Sequence, residues 1–437
     1  MADDELMTGA PPPADRLVNL GNWQKPPYNR WSFLQMREII PTQRISRGRG
    51  PLRPFDFDLD HAAVEDTPVS TVNGSHSTLG RILDESWTDA VLIVHRGKVV
   101  YERYHDRMEE DTLHLMMSVT KSVIGCVTGI LAGHGVLDPE DPVERFVPEV
   151  ADSGYGGARV RDLLDMRSGV KFSEEYQNLD AEVRKIERHM GWRPSQETEE
   201  DMGLYRYLAT LESESGHGGT FVYRSADTDM LGWVIERASG ARMCDLVSEL
   251  IWQPMGAGHD ADITCDGYGS PVHDGGMSAT ARDLARFGML LLNEGRSDDV
   301  QVVPAEWLQQ ALTVDPDLRE AFRNGDSEPY LPGGWYRNQF WHVPARSGDV
   351  QMCLGIHGQM ILVDPHTETV SVKFSTWPDP QNPAYLIDTI RAFTAVGRQL
   401  AGLPLGAASP GERDTPKDRG LIEGREETRG QDPGSPG

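Results

Sequence analysis

Two apolar, β-branched segments far apart in the chain, with a long helix-patterned interval between them, predict an α+β fold. The expected architecture is an antiparallel sheet built from both chain ends and flanked by helices, beside a helix-rich second region. The first segment, AVLIVHRGKVVYERY (90–104), reads as two strands around an Arg-Gly turn, with Val and Ile on each side. The second, GIHGQMILVDPHTETVSVKFSTW (355–377), reads as a hairpin turning at Asp-Pro-His-Thr.

The interval between them carries helical signals. In SVTKSVIGCVTGILAGHG, Val119, Val123, Val127, Ile130 and Leu131 recur at helical spacing, and Gly133 and Gly135 close the pattern. VRDLLDMRSG, SADTDMLGWVIERASG and SATARDLARFGMLLLNEG each end in Gly, and the last two open on a Ser that suits an N-cap. No internal repeat is present. At 437 residues and 38% apolar content, the chain can bury one large core or two intimate halves. A folded unit is expected over 21–404, with 21–115 and 340–404 forming the sheet half and 116–339 the helical half. Residues 1–20 and 405–437 are rich in Pro, Gly and mixed charge and are expected to be disordered.

Composition removes several classes of function. A formal net charge of −26 repels phosphate backbones and anionic lipid, so nucleic acid and membrane are not expected as partners. No apolar run approaches a membrane span, and the chain opens with acids and prolines, so cytoplasmic residence is the expectation. The four cysteines, Cys126, Cys244, Cys265 and Cys353, form no C-x-x-C pair and read as buried thiols. His273, His342 and His357 are scattered singly, so no metal is assigned.

LHLMMSVTKSVIGC (113–126) places one lysine in an otherwise uncharged stretch, three positions after a serine. On a helix starting near Met117 or Ser118, the Ser118 hydroxyl and the Lys121 amine lie one turn apart on the same face. Surrounding Met116, Met117, Val119 and Val123 would desolvate the amine and favour its neutral form, from a reference pKa of about 10.4 toward that of a usable base. Ser118 at the helix start also leaves its own backbone N–H free to face an oxyanion. An S-x-x-K pattern arises by chance in a chain of this length, and a lysine can also snorkel to water, so further groups are needed. FVYRSADTDMLGWVIE supplies Tyr223, read at the end of a short strand before a helix, as a phenol to carry the proton to the leaving atom. GIHGQ (355–359) supplies an edge strand to wall the site, Gly355 and Gly358 allowing close backbone approach to substrate.

Together these segments resemble the serine hydrolases of the β-lactamase and penicillin-binding-protein fold, especially the class C type. SVTK matches S-x-x-K, Tyr-Arg-Ser at 223–225 stands where Tyr-x-Asn is usual, and Ile-His-Gly at 356–358 stands where Lys-Thr-Gly is usual. GVLDPEDPVERFVPE, VRDLLDMRSGV and GGMSATARDLARFGMLLLNEG are also similar, and the likeness runs from about residue 80 to 395. NWQKPPYNRW, MSVTKS, YRSADTDMLGW, GIHGQ and KFSTWPDP narrow it to the 6-aminohexanoate-dimer hydrolases, the nylon-oligomer enzymes, which also act on short acyl esters. The resemblance implies Ser118 as nucleophile, Lys121 as its base partner and Tyr223 as proton relay. It implies the backbone amides of Ser118 and Ile356 as the oxyanion hole, and Tyr176 on a substrate-covering loop. Ser225, His357 and Gly358 are the other expected substrate contacts. No cofactor is implied, and a homodimer is left open.

The departures bear on the substrate. The cation that would help to hold a penicillin carboxylate is absent, and so is the usual amide at 225, so smaller and less decorated acyl groups fit better. The expected function is hydrolysis of short amides or esters, small molecules of the 6-aminohexanoate-oligomer kind included, through an acyl-enzyme on Ser118. A β-lactamase or D,D-peptidase is the alternative within the class, and a catalytically silent binding module the alternative outside it. The patterns G-x-S-x-G, H-E-x-x-H and G-x-G-x-x-G are absent from the chain. Glu174, Glu175, Glu182 and Glu187 are read as a solvated face rather than an amine-binding one.

Overall fold

A computed structural model describes residues 5–196 and 200–405. Its main element is an eight-stranded sheet of β1 (Asp56–Phe57), β2 (Thr88–His95), β3 (Lys98–Tyr104), β4 (Trp335–Arg337), β5 (Phe340–Pro344), β6 (Asp349–Gly355), β7 (Gln359–Asp364) and β8 (Thr369–Ser375). The strand order is β4-β5-β6-β7-β8-β2-β3-β1. Every pairing is antiparallel except that of β1 with β3. Both expected hairpins form. The two distant segments join where β8 pairs with β2, from Thr369 opposite His95 to Ser375 opposite Thr88, with a register shift after Phe374.

Alternation along these central strands supplies both faces of the sheet. Leu92, Val94, Val370, Val372 and Phe374 pack in one core with Leu284, Phe287 and Leu291 of a helix over Ala281–Leu292. Val91, Ile93, Met360 and Leu362 point the other way, to Ala392, Phe393 and Val396 of the helix Pro383–Leu400. Gly288 sets the spacing on the first face, since a Cβ there would sit 2.5 Å from a Val370 methyl. Layering on both faces of an antiparallel sheet is the α+β arrangement that the sequence predicts.

Several local expectations are corrected. Residues 5–20 are packed rather than disordered: Leu6 and Val18 are buried in the core, and the Met7 N–H donates to the Arg16 carbonyl at 2.9 Å. Their apolar side chains are few but adjoin a groove that takes them. Of the expected tail at 405–437, all but residue 405 lies outside the described residues. The interval 116–339 is not helix alone. Ala261–Thr264 and Met277–Ala279 form a second, four-stranded sheet with Thr42–Ile45 and His114–Leu115. The boundary drawn at 340 falls inside the β4–β5 hairpin. The helix at 281 is capped by the Thr280 side chain, which accepts from the Asp283 N–H, and not by Ser278.

Candidate active site

The second sheet delivers the nucleophile. Leu115 pairs with Ser278, the Met116 N–H donates to the Met277 carbonyl at 2.8 Å, and the chain then turns into the helix Val119–Gly133. Met117 takes a left-handed φ of +47°, a strained conformation for a long side chain, and Ser118 occupies the N-cap position. The Ser118 side chain makes no capping bond. Its hydroxyl is instead met by Lys121 Nζ at 2.9 Å, one turn along the helix. Ser118 keeps 9% of its surface and Lys121 only 1%, so the hydroxyl is the atom that a substrate can reach.

Lys121 fills its three N–H positions with Ser118 Oγ, Ser225 Oγ at 3.0 Å and the Asp274 carbonyl at 2.7 Å. Asp274 Oδ2 lies 3.6 Å away. Burial would favour the neutral amine, but Tyr223 and the carboxyl groups of Asp274, Glu174 and Asp229 outweigh it and raise the Lys121 pKa. This direction runs against the uncharged Lys121 base that the sequence argument expects. The apolar neighbours are present as expected, whereas the acids arrive from distant segments. Lys121 stands beside Ser118 as an ammonium donor.

Tyr223 and Ser225 reach the site from the start of a helix over Ser225–Ser239. The segment before it is extended loop, not strand, and Arg224 rather than Ser225 is its N-cap. Tyr223 is held by Trp341, 5.1 Å between ring centroids, and lies edge-on to Tyr336. Lys121 Nζ sits 5.2 Å from its ring centroid. Desolvation raises the phenol pKa, opposed by the Lys121 charge and by hydrogen bonding with Ser118 and Lys121. Ser225 was expected to contact substrate. Its hydroxyl is buried on Lys121 and takes the lysine contact that an amide there would make.

The β6–β7 junction brings Ile356 to the same place. Gly355 ends β6, and Ile356–Gly358 is a 3₁₀ turn between two interior strands, so the expected edge strand is corrected to a turn. A Cβ on Gly355 would lie 2.7 Å from the Met116 carbonyl and 3.0 Å from the Met117 Cβ, so only glycine lets these two backbones approach. Among the described residues the N–H groups of Ser118 and Ile356 have no hydrogen-bond acceptor, whereas those of Val119, Thr120 and Lys121 close onto carbonyls. His357 and Gly358, expected to contact substrate, are both buried. The His357 imidazole is fully buried, with Nδ1 2.7 Å from the Trp377 carbonyl and its ring edge-on to Phe33. Burial lowers its pKa to about 4. Gly358, at φ +92°, is where a Cβ would strike the Trp377 ring.

Tyr176 and Glu174 come from the loop after Phe172. The Tyr176 hydroxyl donates to Glu174 Oε2 at 2.8 Å, and Glu174 Oε1 accepts the Ser225 N–H. Arg184 lies 5.2 Å over the Tyr176 ring and pairs with buried Glu187 at 2.6 Å. Glu174 and Glu187 therefore leave the solvated face assigned to them. Sequence reasoning missed Asp229 and Asp274 and placed Glu174 on a solvated face. Asp229 had a usable signal, an acid in an apolar helix four positions after Ser225 and so on its face. Asp274 had none, being 153 positions from Lys121. Among the described residues, no group of three His, Cys, Asp or Glu side chains could hold a metal, and no helix is long and apolar enough to cross a membrane.

The chain is similar to known proteins in sequence and fold. The family model described as Beta-lactamase matches residues 81–395. The chain is 36% identical over 387 residues to a 6-aminohexanoate-dimer hydrolase of Paenarthrobacter ureafaciens, covering 86% of this chain and 94% of that protein. It is 30% identical over 247 residues to esterase EstB of Burkholderia gladioli, covering 51% of this chain and 58% of that one. A solved structure described as a 6-aminohexanoate-dimer hydrolase from Bacillus anthracis superposes with a TM-score of 0.81 at 27% identity, covering 90% and 99% of the two chains. With its S-x-x-K serine and lysine in contact and the fold of these enzymes around them, the chain belongs to the Beta-lactamase family and is a serine hydrolase.

Proposed function

We propose that this enzyme cleaves short amides and esters, 6-aminohexanoate oligomers among the amides, through an acyl-enzyme on Ser118. The observation that carries the reading is the contact of the Lys121 ammonium with the Ser118 hydroxyl at 2.9 Å, with Tyr223 against both. Ser118 Oγ attacks the carbonyl carbon as its proton passes to the Tyr223 oxygen, and the Tyr223 proton passes to the departing nitrogen or oxygen. The Lys121 charge favours the negative charge that develops on Ser118 Oγ as its proton leaves, while Tyr223, taking one proton as it gives another, stays a phenol. The N–H groups of Ser118 and Ile356 receive the carbonyl oxygen. Water then enters in place of the leaving group and the same steps run backward to release the acid. Tyr176, tied to Glu174, is the residue that would cover the acyl chain.

Glu174 and Asp274 beside the nucleophile favour neutral or cationic acyl groups, and no cation stands at 356 or 357 to hold a lactam carboxylate. Weak nitrocefin turnover is therefore expected beside short esters and the linear dimer. Four unpaired thiols support residence in a reducing cytoplasm. Ser118→Ala should reduce turnover of p-nitrophenyl butyrate and of the dimer to background, and a fluorophosphonate probe should label the native protein but not the variant. Unchanged turnover in Ser118→Ala would overturn the reading, and an unlabelled native protein would favour a silent binding module.

A further inference from the structure

The carboxyl groups behind Lys121 present an unresolved account of polar atoms. Asp229 Oδ1 accepts two backbone N–H groups, from His273 at 2.9 Å and from Asp274 at 3.1 Å. That double bond to one oxygen fixes the peptide whose next carbonyl, that of Asp274, points at Lys121 Nζ. Asp229 Oδ2 has no partner, nor has Asp274 Oδ1, and both atoms are buried. Two adjoining carboxylates with an orphaned oxygen each would be costly in such surroundings. One proton between them satisfies both.

We propose that Asp229 is a protonated positioning residue whose Oδ2–H donates to Asp274 Oδ1, the pair holding a single negative charge that keeps Lys121 an ammonium aimed at Ser118. The bonding pattern suits a carboxylic acid, with the carbonyl-like oxygen accepting twice and the hydroxyl donating once. Burial, with the Asp274 charge second, raises the Asp229 pKa well above the carboxylate range, in agreement with that geometry. Lys121 then faces one negative charge from the pair, with Glu174 as the further carboxyl group nearby. Other titratable groups facing this cluster are Tyr223, Glu174 and Tyr176 from the 173–176 loop, Tyr155, Tyr205, and His273, which is buried, neutral and bonded to Tyr205. The inference rests on the proposed acyl-enzyme chemistry but is testable apart from it.

Asp229→Asn places an NH₂ where the acid hydroxyl stands and should keep kcat/KM within about threefold of native, whereas Asp229→Ala should lose about 10²-fold, mainly in kcat. Asp274→Asn removes the charge itself, so the alkaline limb of the kcat/KM profile should move to lower pH as Lys121 loses its proton more easily. A direct readout is infrared: the native protein at neutral pH should show the C=O stretch of a protonated carboxyl that Asp229→Asn lacks and Ser118→Ala retains. Absence of that band, or Asp229→Asn as damaging as Asp229→Ala, would overturn the assignment even if Asp229→Ala failed to fold. Failure of Ser118 to accept a fluorophosphonate would count against the proposed function alone and leave the infrared result standing.

Discussion

Among the described residues two lysines are buried, each touching a serine hydroxyl, and they hold opposite charge preferences. Lys121 touches Ser118 and has Asp274, Glu174 and Asp229 around it, and its pKa is raised. Lys373, on β8, donates to Ser375 and to the Ser86 carbonyl at 3.3 Å and lies 5.4 Å over the Trp377 ring. Its pKa is lowered to about 7, by burial first and against the pull of Asp89. Asp89 offers it little because its carboxylate already serves Arg30 at 2.5 Å and His114 at 3.2 Å. Depth alone therefore does not set the charge of an amine; the carboxyl groups gathered around it do. The lysine beside a serine that burial pushes toward the neutral form is Lys373, where Ser375 is fully buried and no substrate can reach it.

The comparison breaks if the two lysines prove interchangeable. Lys121→Met should lower kcat/KM by about 10³-fold or more on p-nitrophenyl butyrate, whereas Lys373→Met should stay within about twofold. Equal losses would mean that the ammonium is not needed at Ser118. Tyr223→Phe should cost about 10²-fold or more in kcat and hit amides harder than activated esters, because p-nitrophenolate leaves without a proton. Equal losses on the two substrates would remove the relay role. Gly355→Ala should cost about 10²-fold in kcat with a cooperative melt retained, since the added methyl pushes Ile356 away from the Met116–Ser118 turn.

The smallest effect concerns stability, where the two lysines should have opposite signs. Between about pH 7 and 10.4 an unfolded Lys373 binds a proton that the folded one does not, so its contribution makes stability rise with pH, by at most about 1.4 kcal/mol per unit. Lys121, whose folded pKa is raised, contributes stability that is complete below about 10.4 and is lost only as pH climbs through the folded value. Urea midpoints at pH 7 and 9 should therefore differ less in Lys373→Met than in the native protein. An unchanged difference would show that Lys373 is not neutral in the fold.

Much of this was legible in the chain itself. Alternating Val and Ile at 90–104 and 355–377 carried the sheet, and the 3.6-residue spacing from Val119 to Leu131 carried the helix that holds Ser118 and Lys121 together. What escaped has a common cause. The charge on Lys121 depends on Glu174, Asp229 and Asp274, which meet only in three dimensions, so local desolvation was visible and its compensation was not. His357 shows the same limit from the other side. Its place in a motif suggested a ligand contact, but Phe33 and Trp377, remote in sequence, bury the ring.

The pairing of β8 with β2 sets when this chemistry can begin. Thr369 and His95 lie 274 positions apart, and the sheet to which the Ile356 turn belongs cannot close until both have been made. Loop closure over that span is slow compared with forming the helix that carries Ser118. A ribosome-bound chain that has exposed the serine but not yet residue 369 should thus be hydrolytically silent.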